Sequence, residues 1–575
     1  MATGGAKTQN GVVPGAKLKN GGVSISEKEK EHLKYAESKP VSQWRRALPQ
    51  YLAAFAKNLL LLDLGMVIAF PTIVIPPLLH SKEGLKFTMS QASWFGSIVY
   101  FCQPLGSLTA AVTLDYLGRK RAMIFLNIPF FCCWVTLYYT QTVTMLFVLS
   151  GIMGLGIGSI EASILTYVGE ISEPKLRGTL TSMAEIAEYM GFVFMFFLGT
   201  VTDWRTSALI SALVPVVSCL SLLQIPETPI WLLSKGNSEE ALKALCWLRG
   251  WVTPDQVQNE FDEMVRYSLA SKVLTKMSKC DLEQQAYANE VDLTDEKSPK
   301  THPTDTKSAD GSTEVSVSCE QKKMDLKAQL NDLTIGMEKE SIESLVEQKL
   351  PFRERLRDFC RQEMMMPMFL VCSFFFFTYG SGMLAIRPYM VPVFMNLGLI
   401  MDPYLATTVF TAIGLGGCVL CTVTVRFIGK RPLGLISVLG CAVSCLSLGT
   451  YALYVDELEG HKHAWMPMVM MVALAFFTGI GMDPLPWMYL SEVFPFRGRS
   501  MACGVAAGIS YVFGFIATKT FLVLEKTLTL SGVFYLYGSF SVVGFIFFYF
   551  YLPETEGRTM QDIEESYKKK RKSDR

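Results

Sequence analysis

The sequence predicts an all-α membrane protein with twelve transmembrane helices in two six-helix halves. Half of its 575 residues are hydrophobic and 18% are charged, and its mean hydropathy is +0.29. Apolar runs of about 20 residues, long enough to cross a bilayer, recur along the whole chain. They lie near 48–70, 92–113, 122–141, 145–168, 180–202, 206–225, 366–394, 404–427, 434–455, 466–490, 502–524 and 531–552.

Basic clusters set the predicted orientation of these spans. They occur at 119–121, at 430–431, at 497–499 and in the tail 568–572, and short loops with little charge, such as 79–90, lie between them. Because Lys and Arg concentrate on the cytosolic side, both termini and the central loop are expected in the cytosol.

The predicted organisation has five parts. They are a cytosolic N-terminal tail (1–47), a first six-helix half (48–225), a cytosolic loop with short helices (226–363), a second six-helix half (364–552) and a basic cytosolic tail (553–575). Within the loop, 280–320 is rich in Ser, Thr, Asp, Lys and Glu, which predicts disorder.

The two halves repeat three short patterns in the same order. GRKR at 118–121 matches GKR at 429–431, and PET at 226–228 matches PET at 553–555. Glu170 precedes Arg177 by the same seven residues that separate Glu492 from Arg499. This repetition predicts an internal duplication. Duplicated six-helix halves are typical of transporters that bind solute between the halves, near the membrane midplane.

Five segments resemble the motif set of the sugar porter family of the major facilitator superfamily. They are LDYLGRKRA (114–122), YVGEISEPKLRGTL (167–180), PETPIWLLSKG (226–236), DPLPWMYLSEVFPFRGR (483–499) and LPETEGRT (552–559). ATKTF (517–521) resembles the insect branch that includes facilitated trehalose transporters. The resemblance implies the major facilitator fold, alternating access and a plasma-membrane location.

The predicted gate consists of charged residues at the cytosolic ends of the helices. Opposite charges that pair in one conformation and are hydrated in another set a conformational equilibrium, and the resemblance implies this role here. The second half has Arg426 where the family usually has an acid, so its gate is expected to be weaker or differently wired. The predicted gate residues are Asp115, Arg119, Lys120, Glu170, Arg177, Lys430, Arg431, Glu492 and Arg499.

Eight charged residues fall deep within predicted spans: Lys57, Asp63, Glu161, Glu185, Glu188, Arg387, Asp483 and Lys519. Each would cost roughly 2.5–3.5 kcal/mol if it faced lipid. We therefore expect these side chains to face protein or water, to bind a cation, or to be protonated. Glu185 and Glu188 share one helix face. Structural roles are open for others: Lys57 could snorkel to the interface, and Glu161 could pair with Lys519.

The resemblance also places a substrate site. Glu185 stands where sugar porters carry a Gln, the 378–382 segment replaces QQxSG, and Asp483 replaces a Gly. Asp63 stands where proton-coupled members carry an Asp, although Ser150 replaces its Arg partner, while the family's Trp487 is kept. The predicted substrate-binding residues are Asp63, Glu185, Glu188, Thr378, Tyr379, Ser381, Arg387, Asp483, Trp487 and Tyr511.

Three functions remain open. The first is a transporter that moves a hexose, a trehalose-like sugar or a related polar solute. The second is a proton-coupled or organic-cation carrier on the same fold, and the third is a solute sensor that does not transport. The expected partners are a small solute and the lipid bilayer, with protons in the second case. No nucleotide loop, catalytic triad, cofactor or metal motif or nucleic-acid surface occurs in the sequence, so an enzyme is not predicted.

Overall fold

A computed structural model describes residues 42–82, 84–270, 272–273, 324–329, 362–399, 401–454, 465–494 and 499–556. Within these ranges the chain is helical, with short 3-10 and π segments and no strand. The predicted disorder of 280–320 falls outside the described residues.

The first half consists of long helices joined by short turns. They are α1 (Gln43–Leu79), α2 (Met89–Leu117), α3 (Arg119–Tyr138), α4 (Val143–Ile171), α5 (Pro174–Val201), α6 (Trp204–Ser211) and α7 (Leu213–Gln224). Polar side chains cap the N-termini of several helices. Thr88 forms a capping box with Gln91 before α2, and the Asp203 carboxylate accepts hydrogen bonds from the N–H groups of Arg205 and Thr206 before α6. These side chains satisfy backbone donors that a helix start leaves open.

Short helices follow the first half. They are α8 (Pro229–Ser234), α9 (Ser238–Leu248), a 3-10 turn (Pro254–Val257) and a helix over 258–270. Apolar side chains from these pieces, including Trp231, Leu245 and Phe261, form a small core of their own. Helix α9 therefore packs its apolar side chains inward.

The second half contains interrupted helices. They are α10 (Gln362–Gly380), α11 (Met383–Ile386), a 3-10 turn (Arg387–Tyr389), α12 (Met390–Asn396), α13 (Pro403–Ile428), α14 (Lys430–Tyr454), α15 (Met466–Phe477), a π segment (Thr478–Met482), α16 (Pro484–Glu492) and α17 (Arg499–Tyr551).

All twelve predicted spans coincide with helix. Among the described residues, nine helices are long and apolar enough to cross a membrane, or ten if α10 and the segment Met383–Asn396, bent by 49°, form one span. Helix α17 covers the last two predicted spans, and Thr529, with φ 63°, interrupts its helical geometry between them. The predicted second span is the 29-residue α2. The layout is therefore consistent with twelve spans.

Two breaks in the second half shape the middle of the bundle. Gly382 has φ 90°, and a Cβ there would lie 2.1 Å from the Tyr537 ring, so only glycine fits between α10 and α11. The π segment ends before Pro484, and its freed backbone groups find partners: Thr378 Oγ1 donates to Met482 O at 3.0 Å and Met482 N donates to Ser437 Oγ at 2.9 Å. Irregular backbone at membrane depth requires such partners.

Close helix crossings hold the first half together. A Cβ on Gly65 would lie 2.1 Å from Glu188 O, and one on Gly191 would lie 2.1 Å from Leu62 O, so α1 and α5 touch backbone to backbone. Gly158 in the GLGIGS segment likewise meets Gln103 O. GLGIGS (154–159) is therefore a site of close helix packing.

Candidate substrate cavity and gate

A cavity lies between the two halves, and most of the predicted site residues line it. The cavity has a volume of about 50 Å³, which is enough for roughly three to five water molecules. Its walls are Ile68, Tyr100, Gln103, Glu161, Glu185, Glu188, Tyr189, Phe192, Phe375, Thr378, Tyr379, Leu384, Arg387, Asp483, Trp487 and Tyr511.

Asp483 forms a link between the halves. Tyr189, from α5 in the first half, donates a hydrogen bond to Asp483 Oδ2. Arg387 Nη2, from the second half, lies 3.4 Å from the same oxygen. The guanidinium of Arg387 also stacks 4.1 Å above the Phe192 ring. Asp483 Oδ1 has no hydrogen-bond partner among the described residues.

Glu161 forms a second link between the halves. Tyr511, from α17, donates to Glu161 Oε2, and Gln103 Nε2, from α2, donates to Glu161 Oε1 at 3.3 Å. The expected pairing of Glu161 with Lys519 is wrong: Lys519 Nζ lies 4.0 Å over the ring of Trp94 instead. The ring offers Lys519 a cation–π contact.

Glu185 and Glu188 both face the cavity, as their spacing predicts. Behind them, Lys57 is fully buried, and its ammonium interacts electrostatically with Glu185. Lys57 Nζ has no hydrogen-bond partner among the described residues. The snorkelling interpretation of Lys57 is wrong, because the side chain does not reach the surface of the bundle.

Aromatic rings form one wall of the cavity. The Trp487 ring packs against Phe375 at a centroid distance of 5.1 Å and against Tyr511 at 6.4 Å. Rings in this arrangement present flat faces to a ligand and, in the case of tyrosine, a hydroxyl group as well.

Two predicted site residues are not brought to the cavity. Asp63 is fully buried and accepts a hydrogen bond from Trp134 Nε1 at 2.8 Å. Ser381 Oγ donates to Thr378 O at 2.7 Å, next to the break in the helix. Both side chains lie outside the set that lines the cavity.

The predicted site did not include several residues that line the cavity: Tyr100, Gln103, Glu161, Tyr189, Phe192, Phe375 and Leu384. A signal for Tyr189 was available, since it follows Glu188 on the acidic helix. For Gln103 the only signal was an amide within an apolar span.

At one end of the bundle, contacts join the halves; we call this end the far face. Thr72 Oγ1 on α1 donates to Arg387 O at 2.7 Å, and Ser93 Oγ on α2 donates to Lys519 O at 2.8 Å. A Cβ on Gly96 would lie 2.8 Å from the Tyr389 hydroxyl, so the two halves meet there without a gap. The cavity is closed on this side.

The opposite end, which we call the gate face, carries the repeated motifs. In the first half Arg119 Nη2 lies 2.8 Å from Glu170 Oε1. The Glu227 carboxylate accepts from the N–H groups of Arg119 at 3.1 Å and Lys120 at 3.0 Å, at the start of α3. Tyr167 donates to Pro226 O at 3.0 Å.

The second half repeats this wiring. Lys430 Nζ lies 2.9 Å from Glu492 Oε2 and also pairs with Glu556. The Glu554 carboxylate accepts from Lys430 N at 3.1 Å and Arg431 N at 3.0 Å, at the start of α14. Tyr489 donates to Pro553 O at 2.9 Å. The duplication extends to individual hydrogen bonds, and the PET repeat was the sequence signal for Glu227 and Glu554, which the predicted gate omitted.

The acid missing from the second half is replaced by a different contact. Arg426, on α13, donates to Thr179 Oγ1 on α5, across the two halves. The gate of the second half was expected to be weaker or to use different contacts at Arg426, and this hydrogen bond to Thr179 agrees with that expectation. The side chains of Asp115, Arg177 and Arg499 lie outside the described residues.

A further charge cluster ties the short helices to the gate face. Arg249 is 4% exposed and contacts Glu260 at 2.6 Å and Ile171 O at 3.1 Å. Arg46, at the start of α1, lies 2.8 Å from Glu173 at the start of α5. The helices after residue 228 are therefore bound to the first half.

Comparison with known proteins agrees with this architecture. The sequence profile described as "Sugar (and other) transporter" matches residues 35–287 and 315–567. The chain is 25% identical over 521 residues to the facilitated trehalose transporter Tret1 of Polypedilum vanderplanki, covering 90% of this chain and 87% of that protein. It is 25% identical over 523 residues to Tret1 of Apis mellifera ligustica, covering 90% and 88%.

Solved structures show the same fold. A partially occluded inward-open structure of the xylose transporter XylE from E. coli gives a TM-score of 0.61 at 16% identity, covering 89% of this chain and 99% of that one. XylE, a proton:xylose symporter, bound to 6-bromo-6-deoxy-D-glucose gives 0.58 at 19% identity, covering 90% and 98%. The chain therefore belongs to the sugar (and other) transporter family, and it is a multi-pass membrane transporter with the major facilitator fold rather than an enzyme.

Proposed function

We propose that the protein carries a sugar, a hexose or a trehalose-like disaccharide, or a related polar solute, across the plasma membrane by alternating access. The observation that carries the proposal is the polar cavity between the halves, which is closed at the far face. The gate face, with its basic clusters, then faces the cytosol, and both termini lie there.

The segment boundaries follow from this assignment. Residues 48–225 and 364–552 are the two moving halves, and 226–363 is the cytosolic connection between them. The tails 1–47 and 553–575 complete the cytosolic side. Contacts of Arg249 with Glu260 and Ile171 support motion of the helices over 229–270 together with the first half.

The gate residues act within each half. Arg119–Glu170 and Lys430–Glu492 each join helices of one half, so these pairs keep the helix ends of a half together as a unit. Arg426 and Thr179 join the two halves at the gate face. We propose that this contact opens and closes, and that Asp115, Lys120, Arg177, Arg431 and Arg499 complete the gate.

The ligand contacts are the cavity residues of the predicted site. They are Glu185, Glu188, Thr378, Tyr379, Arg387, Asp483, Trp487 and Tyr511, joined by Gln103 and Glu161. Trp487 stacks on a sugar ring, and the amide of Gln103 and the hydroxyl of Tyr511 meet sugar hydroxyls. Asp63 and Ser381 hold helix geometry instead.

Uptake by the reconstituted full-length protein tests the proposal. We expect saturable uptake of labelled trehalose or glucose without ATP, and a roughly two- to twelvefold loss of uptake in Trp487→Ala, since ring stacking contributes about 0.5–1.5 kcal/mol. Glu239→Gln, an exposed change on α9, is the matched control. Absence of flux for trehalose, glucose and xylose would overturn the sugar proposal, and binding without flux would favour a sensor.

A second candidate is proton coupling, favoured by the four carboxylates on the cavity wall. In that case an inward proton gradient should increase sugar uptake several-fold, and Glu188→Gln should abolish the increase. If the proton gradient changes sugar uptake in neither the wild-type protein nor the Glu188→Gln variant, proton coupling is rejected.

A further inference from the structure

The cavity already holds one organic cation, which the protein itself supplies. The guanidinium of Arg387 lies 4.1 Å above the Phe192 ring and 5.9 Å from the Tyr189 ring centroid. Its Nη2 atom lies 3.4 Å from Asp483 Oδ2. Carboxylate and ring together are the two groups that recognise ammonium and guanidinium ligands. Arg387 therefore shows what the wall of the cavity is able to bind.

The contact between Arg387 and Asp483 leaves capacity for a second cation. Charge-assisted N–H···O⁻ bonds are usually about 2.7–2.9 Å long, and this one is 3.4 Å. Asp483 is 9% exposed and lines the cavity, yet its Oδ1 has no hydrogen-bond partner among the described residues. A buried carboxylate oxygen without a partner is costly, and a ligand donor would satisfy it.

The charge balance of the cavity points in the same direction. Glu161, Glu185, Glu188 and Asp483 line it, and Arg387 is the one basic residue among the described lining residues, while Lys57 acts on Glu185 from behind. Counted as ionised, these side chains carry two more negative charges than positive ones. A neutral polyol supplies no charge to offset that excess.

We propose that the cavity binds a small organic monocation, with an ammonium or guanidinium group, between Asp483 and the Phe192 ring, where it displaces the guanidinium of Arg387. The aromatic walls formed by Phe192, Tyr189 and Trp487 favour an organic cation over protons, because a proton gains nothing from a ring face. Transport of such a cation rests on the proposed carrier function, whereas its binding does not.

Displacement of Arg387 would also reach the far face. Arg387 begins the 3-10 turn whose carbonyl accepts the 2.7 Å hydrogen bond from Thr72 of α1. Moving its side chain away from Asp483 and the Phe192 ring removes the side-chain contact of this turn with α5 of the first half and leaves the backbone hydrogen bond from Thr72 in place.

Binding of N-methyl-D-glucamine, a polyol amine that is cationic at neutral pH, tests the inference against sorbitol, which has the same carbon chain without the amine. Full-length protein in detergent is titrated and followed by tryptophan fluorescence, which Trp487 in the cavity reports. We expect the amine to bind at least tenfold more tightly than sorbitol. Asp483→Asn should remove that preference, because the amide keeps the shape and loses the charge.

Arg387 provides the test of competition. Arg387→Gln should tighten amine binding at least threefold, since the internal competitor is gone, and Arg387→Lys should stay close to wild type because it retains a cation. Glu239→Gln serves as the matched control. Equal affinity for amine and sorbitol, or an unchanged preference in Asp483→Asn, would overturn the inference.

Transport assays separate this inference from the carrier proposal. Uptake of sorbitol or glucose with no binding of the amine would overturn the inference and leave the carrier intact. Proton movement with sugar, without any effect of the amine, would assign the carboxylates to protons and also overturn it. Amine binding that depends on Asp483, with no flux of any solute, would support the inference and reject the carrier.

Discussion

The carboxylate of Glu227 provides the sharpest test of the repeated gate wiring. It lies at the N-terminus of α3 and accepts from the backbone N–H groups of Arg119, at 3.1 Å, and Lys120, at 3.0 Å. It also crowds Gly118, where a Cβ would lie 2.6 Å from its oxygen. The side chain thus serves as a helix cap supplied from a distant part of the chain.

Glu227→Ala removes this cap. Loss of a capping side chain costs about 0.5–2 kcal/mol, and loss of a negative charge at a partly buried helix N-terminus costs roughly a further 0.3–2 kcal/mol. We therefore expect destabilisation of about 1–4 kcal/mol. Glu227→Gln keeps an acceptor oxygen and loses only the charge, so its cost should be about half or less.

The duplicate in the second half allows an internal check. Glu554 accepts from Lys430 N and Arg431 N with nearly the same distances, so Glu554→Ala should cost a similar amount. The two losses should add, because independent sites are additive to about 0.5 kcal/mol. Unfolding of the purified protein by SDS in mixed micelles measures the three single variants and the double variant Glu227→Ala with Glu554→Ala. A Glu227→Ala protein within 0.5 kcal/mol of wild type would refute the capping argument.

Two further predictions concern backbone packing and a helix cap. Gly65→Ala should impair folding strongly, because the new Cβ would lie 2.1 Å from Glu188 O, whereas Gly508→Ala should be tolerated because its new Cβ would have nothing within 4 Å. The yield of monodisperse protein in size-exclusion chromatography measures the difference. Equal yields of the two variants would refute the close crossing of α1 and α5. Asp203→Ala should cost about 0.5–2 kcal/mol. Hydrogen bonds lower the pKa of Asp203, and the bond from the Thr206 hydroxyl has the largest effect. Its stabilisation should be complete above about pH 4 and fade as pH falls through the lowered pKa. The difference in SDS unfolding between wild type and Asp203→Ala, compared at pH 7 and pH 3, measures this, and a difference that grows in acid would contradict it.

Much of the fold could be predicted from the sequence because its causes are local. A bilayer requires about 20 apolar residues in each crossing, and each predicted span coincides with helix. Pro484 follows the π segment and begins α16, because proline cannot donate to the hydrogen-bond ladder of the preceding helix. The duplication was visible too, because GKR, Glu492 and PET repeat in order, and the structure shows matching hydrogen bonds at Glu227 and Glu554.

The pairing of buried charges could not be predicted in the same way. Helical periodicity places Glu185 and Glu188 on one face, but it does not say which neighbouring helix that face meets. Glu161 was expected to pair with Lys519 and instead accepts from Tyr511, which is 350 residues away. Asp63 lies beside Trp134 and away from the cavity.

The sequence by itself determined that this chain crosses the membrane many times, that it is duplicated and that its spans carry too many acids to face lipid. Only the tertiary structure decided which of those acids share a cavity and what each one contacts. The physical reason is that insertion energy depends on one helix at a time, whereas the link from Tyr189 through Asp483 to Arg387 exists only where three separate segments meet.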